Sequence, residues 1–302
     1  MKFFMMIGIP SSGKSTIAQE IAKIENAIII STDDLREELF DDVNNQENNN
    51  LVFRTAMQRV KQNLKNKNVI LDATNINYKR RMSMLHELNY IKDLQKIAVL
   101  IATPYEECLT RNMKRKRKVP ESVIKRMYNN IYIPQYYEGF NKIQIKYNSS
   151  YIFTFEDLQD MEQDNPYHSL TVKQHCDKVH KILDNKKPAY EETELNRAGL
   201  LHDIGKLKTK TFINNKGEKT AIAHYYNHEK VSAYDSLFNF TIKQWYVDGE
   251  IDKIINTLNL IQWHMLPYSN MNEKTINKYK RLLGEETWND LMLLHEADKE
   301  AH

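Results

Sequence analysis

The sequence predicts an α/β domain built on a parallel sheet flanked by helices, followed by a second domain that is all α. Three observations predict it. In the first half, short apolar runs alternate with stretches of helical spacing. Beyond about residue 160 the β-branched strand signals nearly vanish, while amphipathic helical spacing continues. The charge balance also changes sign. Residues 1–150 hold 24 basic and 16 acidic side chains, a balance of +8, and residues 151–302 hold 19 and 24, a balance of −5. A chain of 302 residues is long for one compact domain and comfortable for two. The polar, acidic stretch 148–166 places the boundary near 160, giving domains at 1–158 and 159–302.

The elements follow in order. Residues 2–7, 27–31, 68–72 and 97–102 are apolar runs of strand length. Between them, helical spacing marks 14–24, a stretch from 33, 51–64 and 78–88; Pro104 opens another helix, and Pro120 suits the first turn of one over 120–137. Apolar strands separated by helices mean βαβ units and a parallel sheet covered on both faces. Residues 44–50, nearly all Asn, Gln and Glu, read as a solvated loop. In the second half, 171–184 places Val172, His175, Cys176, Val179, Ile182 and Leu183 on one helical face. Residues 194–202, 229–238, 252–263 and 285–299 continue the helical pattern.

Composition excludes several classes. With 41% apolar and 27% charged residues, wholesale disorder is excluded. Two cysteines, Cys108 and Cys176, cannot build a disulfide framework or a four-thiolate zinc site, so a reducing cytoplasm is the expected compartment. The apolar start, residues 1–9, is too short for a signal peptide and reads as a buried strand. No run approaches the roughly 20 apolar residues of a membrane span. The net charge of +3 is neutral evidence about a polyanionic partner.

The first chemical motif is Gly8-Ile9-Pro10-Ser11-Ser12-Gly13-Lys14-Ser15, followed by Thr16. It fits G-x-x-x-x-G-K-[ST] between a predicted strand and a predicted helix, the context that gives the pattern meaning. Glycines let the backbone curl so that successive N–H groups point at phosphate oxygens, and the helix adds its positive end. Lys14 reaches the outer phosphates of a nucleoside triphosphate such as ATP, and the Ser15 hydroxyl ligates Mg²⁺. Asp72, at the end of its strand, lies where open α/β sheets bind ligands; it suits the Mg²⁺ water shell, a substrate hydroxyl or a helix cap. Asp33 and Asp34 follow the second strand at the same edge, where one carboxylate suits proton abstraction from an attacking hydroxyl and the other a first-turn role. Arg36 is within reach of that mouth. Arg111, Lys114, Arg115, Lys116, Arg117 and Lys118 crowd together, either as a solvated segment or as a lid whose arginines neutralise transferring phosphate and whose other cations track a nucleic-acid backbone.

Gly8 to Thr16, Ser31-Thr32-Asp33-Asp34-Leu35-Arg36, Leu71-Asp72-Ala73-Thr74-Asn75, and Thr103-Pro104-Tyr105 through Arg111, Arg115, Val119-Pro120 and Met127-Tyr128 resemble the 5′-hydroxyl polynucleotide kinases of phage type, collinearly over most of residues 1–140. The resemblance implies Asp33 as general base, Arg36 as a ligand of the acceptor phosphate, Asp72 as acceptor-side support, and Arg111 with Arg115 as clamps on the donor phosphates. Related P-loop kinases of small molecules share much of the pattern.

The second motif is Leu200-Leu201-His202-Asp203-Ile204-Gly205-Lys206. Neighbouring His and Asp offer nitrogen and oxygen ligands together, and a carboxylate can bridge two metals. Nine of ten histidines lie beyond residue 160, with His175, His228, His264 and Asp298 as further candidates and His168, His224 and His295 as competitors. The ordered set resembles the HD phosphohydrolase superfamily, an all-α metal-binding fold, over about 168–298. The resemblance implies one metal site from His175, His202, Asp203 and Asp298 and a second from His228 and His264 with Asp203 bridging. It also implies phosphoester hydrolysis by metal-activated water, with Lys206 facing the phosphate. Mixed N/O ligands suit Mn, Fe, Co, Ni or Zn.

Together the two resemblances imply a bifunctional enzyme that heals RNA or DNA termini. It would add phosphate to a 5′-OH and remove a 3′-phosphate or 2′,3′-cyclic phosphate, so that a separate ligase can act. The alternative is a small-molecule or nucleoside kinase fused to an HD nucleotidase.

Overall fold

The computed structural model describes residues 1–43, 47–166, 169–188 and 192–302. Two compact units emerge: Met1–Met127 with Pro134–Ser150, and Tyr128–Ile133 with Tyr151–His302.

The first unit holds five strands, β1 (Lys2–Ile7), β2 (Ala27–Ser31), β3 (Asn68–Asp72), β4 (Gln95–Ala102) and β5 (Lys142–Tyr147), in spatial order β2-β3-β1-β4-β5. All pairings are parallel. Central β1 is apolar on both faces, with Phe3, Met5, Met6 and Ile7 fully buried, as a sheet covered by helices requires. Helices α1 (Lys14–Glu25), α2 (Thr32–Phe40), α3 (Asn49–Asn63), α4 (Tyr78–His86), α5 (Tyr105–Met113) and α6 (Glu121–Tyr128) make the connections. Ser31 pairs with Asp72, which sets the end of β2 beside the end of β3 at the carboxyl edge. The Ser31 side chain caps α2 by accepting from Asp34 N at 3.2 Å, so Asp33 and Asp34 open that helix at this edge.

Three sequence expectations change. The helix expected over 120–137 ends at Tyr128, and a short 3₁₀ turn follows at Tyr136–Glu138. Asn129-Asn130 favour leaving the helix, and Pro134 supplies no N–H and biases the residue before it to extended backbone. Strand β5 was not anticipated: only Ile143 and Ile145 are buried along this edge, with Lys142 and Lys146 exposed. The loop expected over 44–50 yields its last two residues to α3; residues 44–46 lie outside the described residues.

The second unit is helical: α7 (Val172–Lys186), α8 (Glu194–Leu201), α9 (Lys206–Thr209), α10 (His228–Ser236), α11 (Phe240–Val247), α12 (Ile251–Trp263), α13 (Glu273–Leu283) and α14 (Glu285–Glu300). It adds one antiparallel hairpin, β6 (Thr211–Ile213) with β7 (Lys219–His224), turned at Gly217. Gly205 lets α9 approach α10 closely. A Cβ there would lie 2.3 Å from the His228 carbonyl oxygen, and its N–H donates to Ser232 Oγ at 2.8 Å. Among the described residues, no helix is long and apolar enough to cross a membrane.

Candidate active sites

The first site is the loop between β1 and α1. Gly13 adopts φ 97°, open to glycine at little cost, and a Cβ there would meet Asn148 Nδ2 at 2.1 Å. The Ser12 carbonyl is held from three sides: Thr103 Oγ1 and Asn148 Nδ2 each donate at 2.8 Å and Arg111 Nη1 at 3.3 Å. Gly8 N donates to Thr74 O at 3.0 Å, and Lys14 Nζ folds back onto Ile9 O at 2.8 Å. The buried Ser12 hydroxyl has no hydrogen-bond partner, an orphan polar group facing the loop's own curl. This donor-rich cradle fits the phosphates of ATP.

Two ionisable groups at this loop, Lys14 and Asp72, are buried. Burial pushes the Lys14 ammonium below its ordinary value, and Asp72 opposes the shift. Burial pushes the Asp72 carboxyl up, against its hydrogen bond with Ser15 and the charge of Lys14. Ser15 and Asp72 together offer a hydroxyl and a carboxylate at the loop mouth, the oxygen donors that Mg²⁺ takes. Thr16 is exposed in the first turn of α1.

Asp33 stands across the same edge, half-exposed, with both carboxylate oxygens engaged. Arg36 Nη1 donates to Oδ1 at 2.9 Å and Arg117 Nη1 to Oδ2 at 2.9 Å. Arg36 is buried and fixed by Thr32 O at 3.2 Å and Asn49 Oδ1 at 2.8 Å. The basic segment is pinned at both ends by Asn112, whose Nδ2 donates to Val119 O at 2.8 Å and whose Oδ1 accepts from Val119 N at 3.0 Å. From this closed loop Arg115 reaches Ser11 Oγ at 3.3 Å, while Arg111 is tied to Glu107 and Asn148 O, each at 2.6 Å. Lys114, Lys116 and Lys118 are exposed. Arg117, one of six cations in the run, is the one that meets Asp33; its neighbours in sequence gave no reason to single it out.

The second site gathers five of the predicted ligands around Asp203. His175 (α7), His202 (the last residue after α8) and Asp298 (α14) form one group of converging ligand atoms; Asp203, His228 (start of α10) and His264 (end of α12) form another. Asp203 addresses both. Its Oδ1 lies 3.1 Å from His228 Nε2 and 3.6 Å from His264 Nε2, and its Oδ2 lies 3.6 Å from His175 Nε2 and 3.5 Å from His202 Nε2. Three rings are oriented by backbone carbonyls on the other nitrogen: His202 Nδ1 to Gly199 O at 2.8 Å, His228 Nδ1 to Tyr225 O at 2.7 Å and His264 Nδ1 to Ile261 O at 2.7 Å. Those acceptors place the proton on Nδ1 and leave Nε2 as a lone pair aimed inward. His228 Nε2 and His264 Nε2 then face each other at 3.2 Å, and the buried His202 Nε2 has no hydrogen-bond partner. Facing lone pairs beside a carboxylate fit a cation, and the mixed N/O donor set fits a divalent transition metal.

The shifts of two rings agree with that arrangement, and that of His202 runs the other way. Burial pushes His175 and His264 below the usual imidazole range, against their Asp298 and Asp203 partners. For His202 burial is outweighed by Asp203 and Asp298, and the ring is raised. Burial also acts on Asp203, but Lys206 and His202 hold it well below the ordinary carboxylate range. Lys206 does not stand clear of these ligands: its Nζ donates to Asp203 Oδ2 at 2.6 Å and to Gln163 Oε1 at 2.8 Å.

Of the competitors, His224 binds Thr220 and stacks on Tyr226, and His295 packs its edge on Tyr268; neither enters a donor group. His168 lies outside the described residues. Two partners escaped sequence reasoning. Tyr268 donates to Asp298 Oδ2 at 2.8 Å, and terminal His302 brings Nε2 within 3.7 Å of Asp298 Oδ1.

Comparison with known proteins likewise finds two domains in the chain. Residues 3–134 match the family model of an AAA domain, and residues 167–301 match that of an HD domain. The L-seryl-tRNA(Sec) kinase of Methanococcus maripaludis is 31% identical over 143 residues, covering 43% of this chain and 52% of the relative. The chain thus spans about half the length of this curated relative. Among solved structures, a chain of the Pnkp1/Rnl/Hen1 RNA repair complex is 28% identical, with 42% of each chain covered and a TM-score of 0.37. The gluconokinase from Sinorhizobium meliloti 1021 is 13% identical, with 49% of this chain and 83% of its own covered and a TM-score of 0.38. Residues 3–134 are therefore a P-loop kinase domain, and residues 167–301 of the same chain are an HD domain.

Proposed function

We propose that this protein is a bifunctional nucleic-acid end-healing enzyme of the cytoplasm, with its kinase activity in residues 1–158 and its phosphohydrolase activity in residues 159–302. The observation that carries the reading is the pairing, in one chain, of a phosphate loop facing an Asp33–Arg36 pair with a double His/Asp donor group. In the kinase reaction Asp33 takes the proton from a 5′-OH as its oxygen attacks the γ-phosphorus of ATP. The bond from that phosphorus to the β–γ bridging oxygen breaks, and ADP leaves. Lys14 holds the outer phosphates, Arg36 the acceptor-strand phosphate, and Arg111 with Arg115 the charge that develops on transfer. Ser15 and Asp72 would hold Mg²⁺, which supplies charge neutralisation on the phosphates.

In the second reaction water adds to the phosphorus of a 3′-phosphate, the ester bond to the ribose oxygen breaks with that oxygen taking a proton, and inorganic phosphate leaves. A 2′,3′-cyclic phosphate takes two such additions, the first opening the ring to a phosphomonoester and the second releasing phosphate. His175, His202, Asp203, His228, His264 and Asp298 would hold one or two divalent metals, which activate water and polarise the phosphoryl oxygens. Lys206 keeps Asp203 ionised and oriented. Ends treated in both ways carry a 5′-phosphate and a free 3′-OH, the substrates of a separate ligase.

End-labelled RNA and DNA strands bearing each terminus test the reading. With ATP, Mg²⁺ and Mn²⁺, the protein is expected to phosphorylate 5′-OH ends and release 3′-phosphate. Lys14→Ala should abolish only the first activity and Asp203→Ala only the second. Untouched strands would overturn it. Phosphorylation of nucleosides or sugars but not strands would favour the small-molecule kinase reading. Phosphorylation of the seryl group of a charged tRNA would favour the activity named for the Methanococcus relative.

A further inference from the structure

A cleft between α3 and α4 belongs to neither candidate site. Its volume is about 670 Å³, in the range of ligand clefts. Buried Met57 and Met84 contribute its apolar floor, and Phe53, Arg54, Lys61, Lys65, Arg80 and Tyr90 its walls.

The walls carry unbalanced positive charge. Glu87, the one carboxylate on the lining, is paired with Lys61 at 2.6 Å. Among the described residues, none of Arg54, Lys65 and Arg80 pairs with a carboxylate. Arg54 and Lys61 lie two turns apart on one face of α3, and Lys65, just past the helix end, continues the same lining. Aromatic surface is interleaved with this charge. The Arg80 guanidinium lies 4.6 Å from the Phe53 ring centroid, and Tyr90 is 67% exposed. Cations spaced along a helix and available π-faces are the two features that hold single-stranded nucleic acid without reading its sequence.

Position supplies the second argument. Asn49, the first residue of α3, accepts from Arg36 Nη2 at 2.8 Å, so the cleft opens beside the Asp33–Arg36 pair. Arg80 sits in the first turn of α4, just beyond the end of β3 that carries Asp72. From that mouth α3 runs for 15 residues, roughly 22 Å, away from the carboxyl edge of the sheet. We infer that the α3–α4 cleft binds the single strand trailing from the 5′-OH at Asp33, by phosphate contacts to Arg54, Lys65 and Arg80 and base stacking on Phe53 and Tyr90. The inference rests on the proposed 5′-kinase activity and extends that site along the acceptor.

Binding read without ATP separates its failure from that of the kinase reading, which phosphoryl transfer tests independently. A fluorescent single-stranded RNA of about twelve nucleotides, within the usual site size for single strands, is titrated with the full chain over a range of salt. Arg54→Gln/Lys65→Gln is expected to weaken binding about tenfold and to lower the slope of log affinity against log salt by roughly two contacts. Lys23→Gln/Lys92→Gln, which removes the same charge from exposed positions outside the cleft, is expected to bind like the wild type. Phe53→Ala should weaken binding without changing the salt slope. Equal affinity of the cleft variant and the wild type would overturn the inference. So would an equal loss in both double variants, which would reduce the effect to net charge.

Discussion

Arg117 and Arg36 grip opposite oxygens of Asp33, each at 2.9 Å, so the carboxylate is held from two elements at once. Arg36 is buried within α2's own turn, while Arg117 arrives from the closed loop that begins at Asn112 and also donates to Val43 O at 3.1 Å. Asp33→Asn keeps the size of the side chain but removes its capacity to take a proton. Kinase turnover is expected to fall by about 10²–10⁴, with ATP binding retained and 3′-phosphate release unchanged. Arg117→Ala removes the loop's anchors on Asp33 and Val43, and hydrogen exchange should show faster exchange across residues 114–118. Unaltered exchange would mean that the Asn112 clasp alone orders the loop.

Asp72 links the kinase site to pH. Burial raises its carboxyl above the ordinary value, against Ser15 and Lys14. The folded chain therefore keeps this proton to higher pH than the unfolded chain. That stabilisation is fully present below the ordinary Asp value and is lost as pH rises through the raised one. Asp72→Asn cannot ionise, so its midpoint relative to wild type should improve on going from about pH 3 to about pH 7. Its kinase activity should drop at least about 10²-fold. A thermal-shift series across pH reads the first effect and a transfer assay the second.

The pair Arg81–Glu138 is the most completely buried ion pair among the described residues, with both side chains at 0% exposure. Arg81 Nε and Nη2 donate to the two carboxylate oxygens at 2.6 and 2.7 Å, and Nη1 donates to Asn75 O at 2.8 Å. Arg81→Ala strands the carboxylate and should cost about 3–5 kcal/mol, read as a lowered urea midpoint. Replacing both partners, Arg81→Met with Glu138→Leu, should recover most of that loss. If the double variant were as unstable as the single one, the pair's cost would lie in the Asn75 contact instead.

Tyr268 supports Asp298, a proposed metal ligand, from outside the donor groups. Its hydroxyl holds Asp298 Oδ2 at 2.8 Å while His175 Nε2 holds Oδ1 at 2.9 Å. Tyr268→Phe removes one of these two constraints. Metal affinity, measured by calorimetry on the full chain, is expected to fall about 10–100-fold, with the kinase reaction unaffected.

What the sequence made legible follows from range. The phosphate loop and Leu200 to Lys206 are local words: neighbours in the chain, fixed by one turn of backbone. The buried strands were legible because both faces are apolar, as at Phe3–Ile7. Strand β5 was not, because an edge strand buries only Ile143 and Ile145 and looks like a polar stretch with two isoleucines. The hairpin β6–β7 was hidden for the same reason, with Phe212, Ile213 and Ile222 left exposed. The candidate ligand histidines were legible as a set from the residues alone; their division into two groups came with the family resemblance, because how Asp203 divides its oxygens depends on the packing of α10 and α12. Arg117 was indistinguishable from its neighbours, because its meaning comes from a carboxylate 84 positions earlier.

The Ser12 carbonyl has a consequence for synthesis. Its donors are Thr103, Arg111 and Asn148, and the last lies 136 positions downstream, just past β5. In synthesis the glycine-rich loop emerges well before its partners, and it lacks its clasp until the fifth strand is out. The loop is thus complete only once the sheet of its own unit is out, with most of the helical unit still to follow.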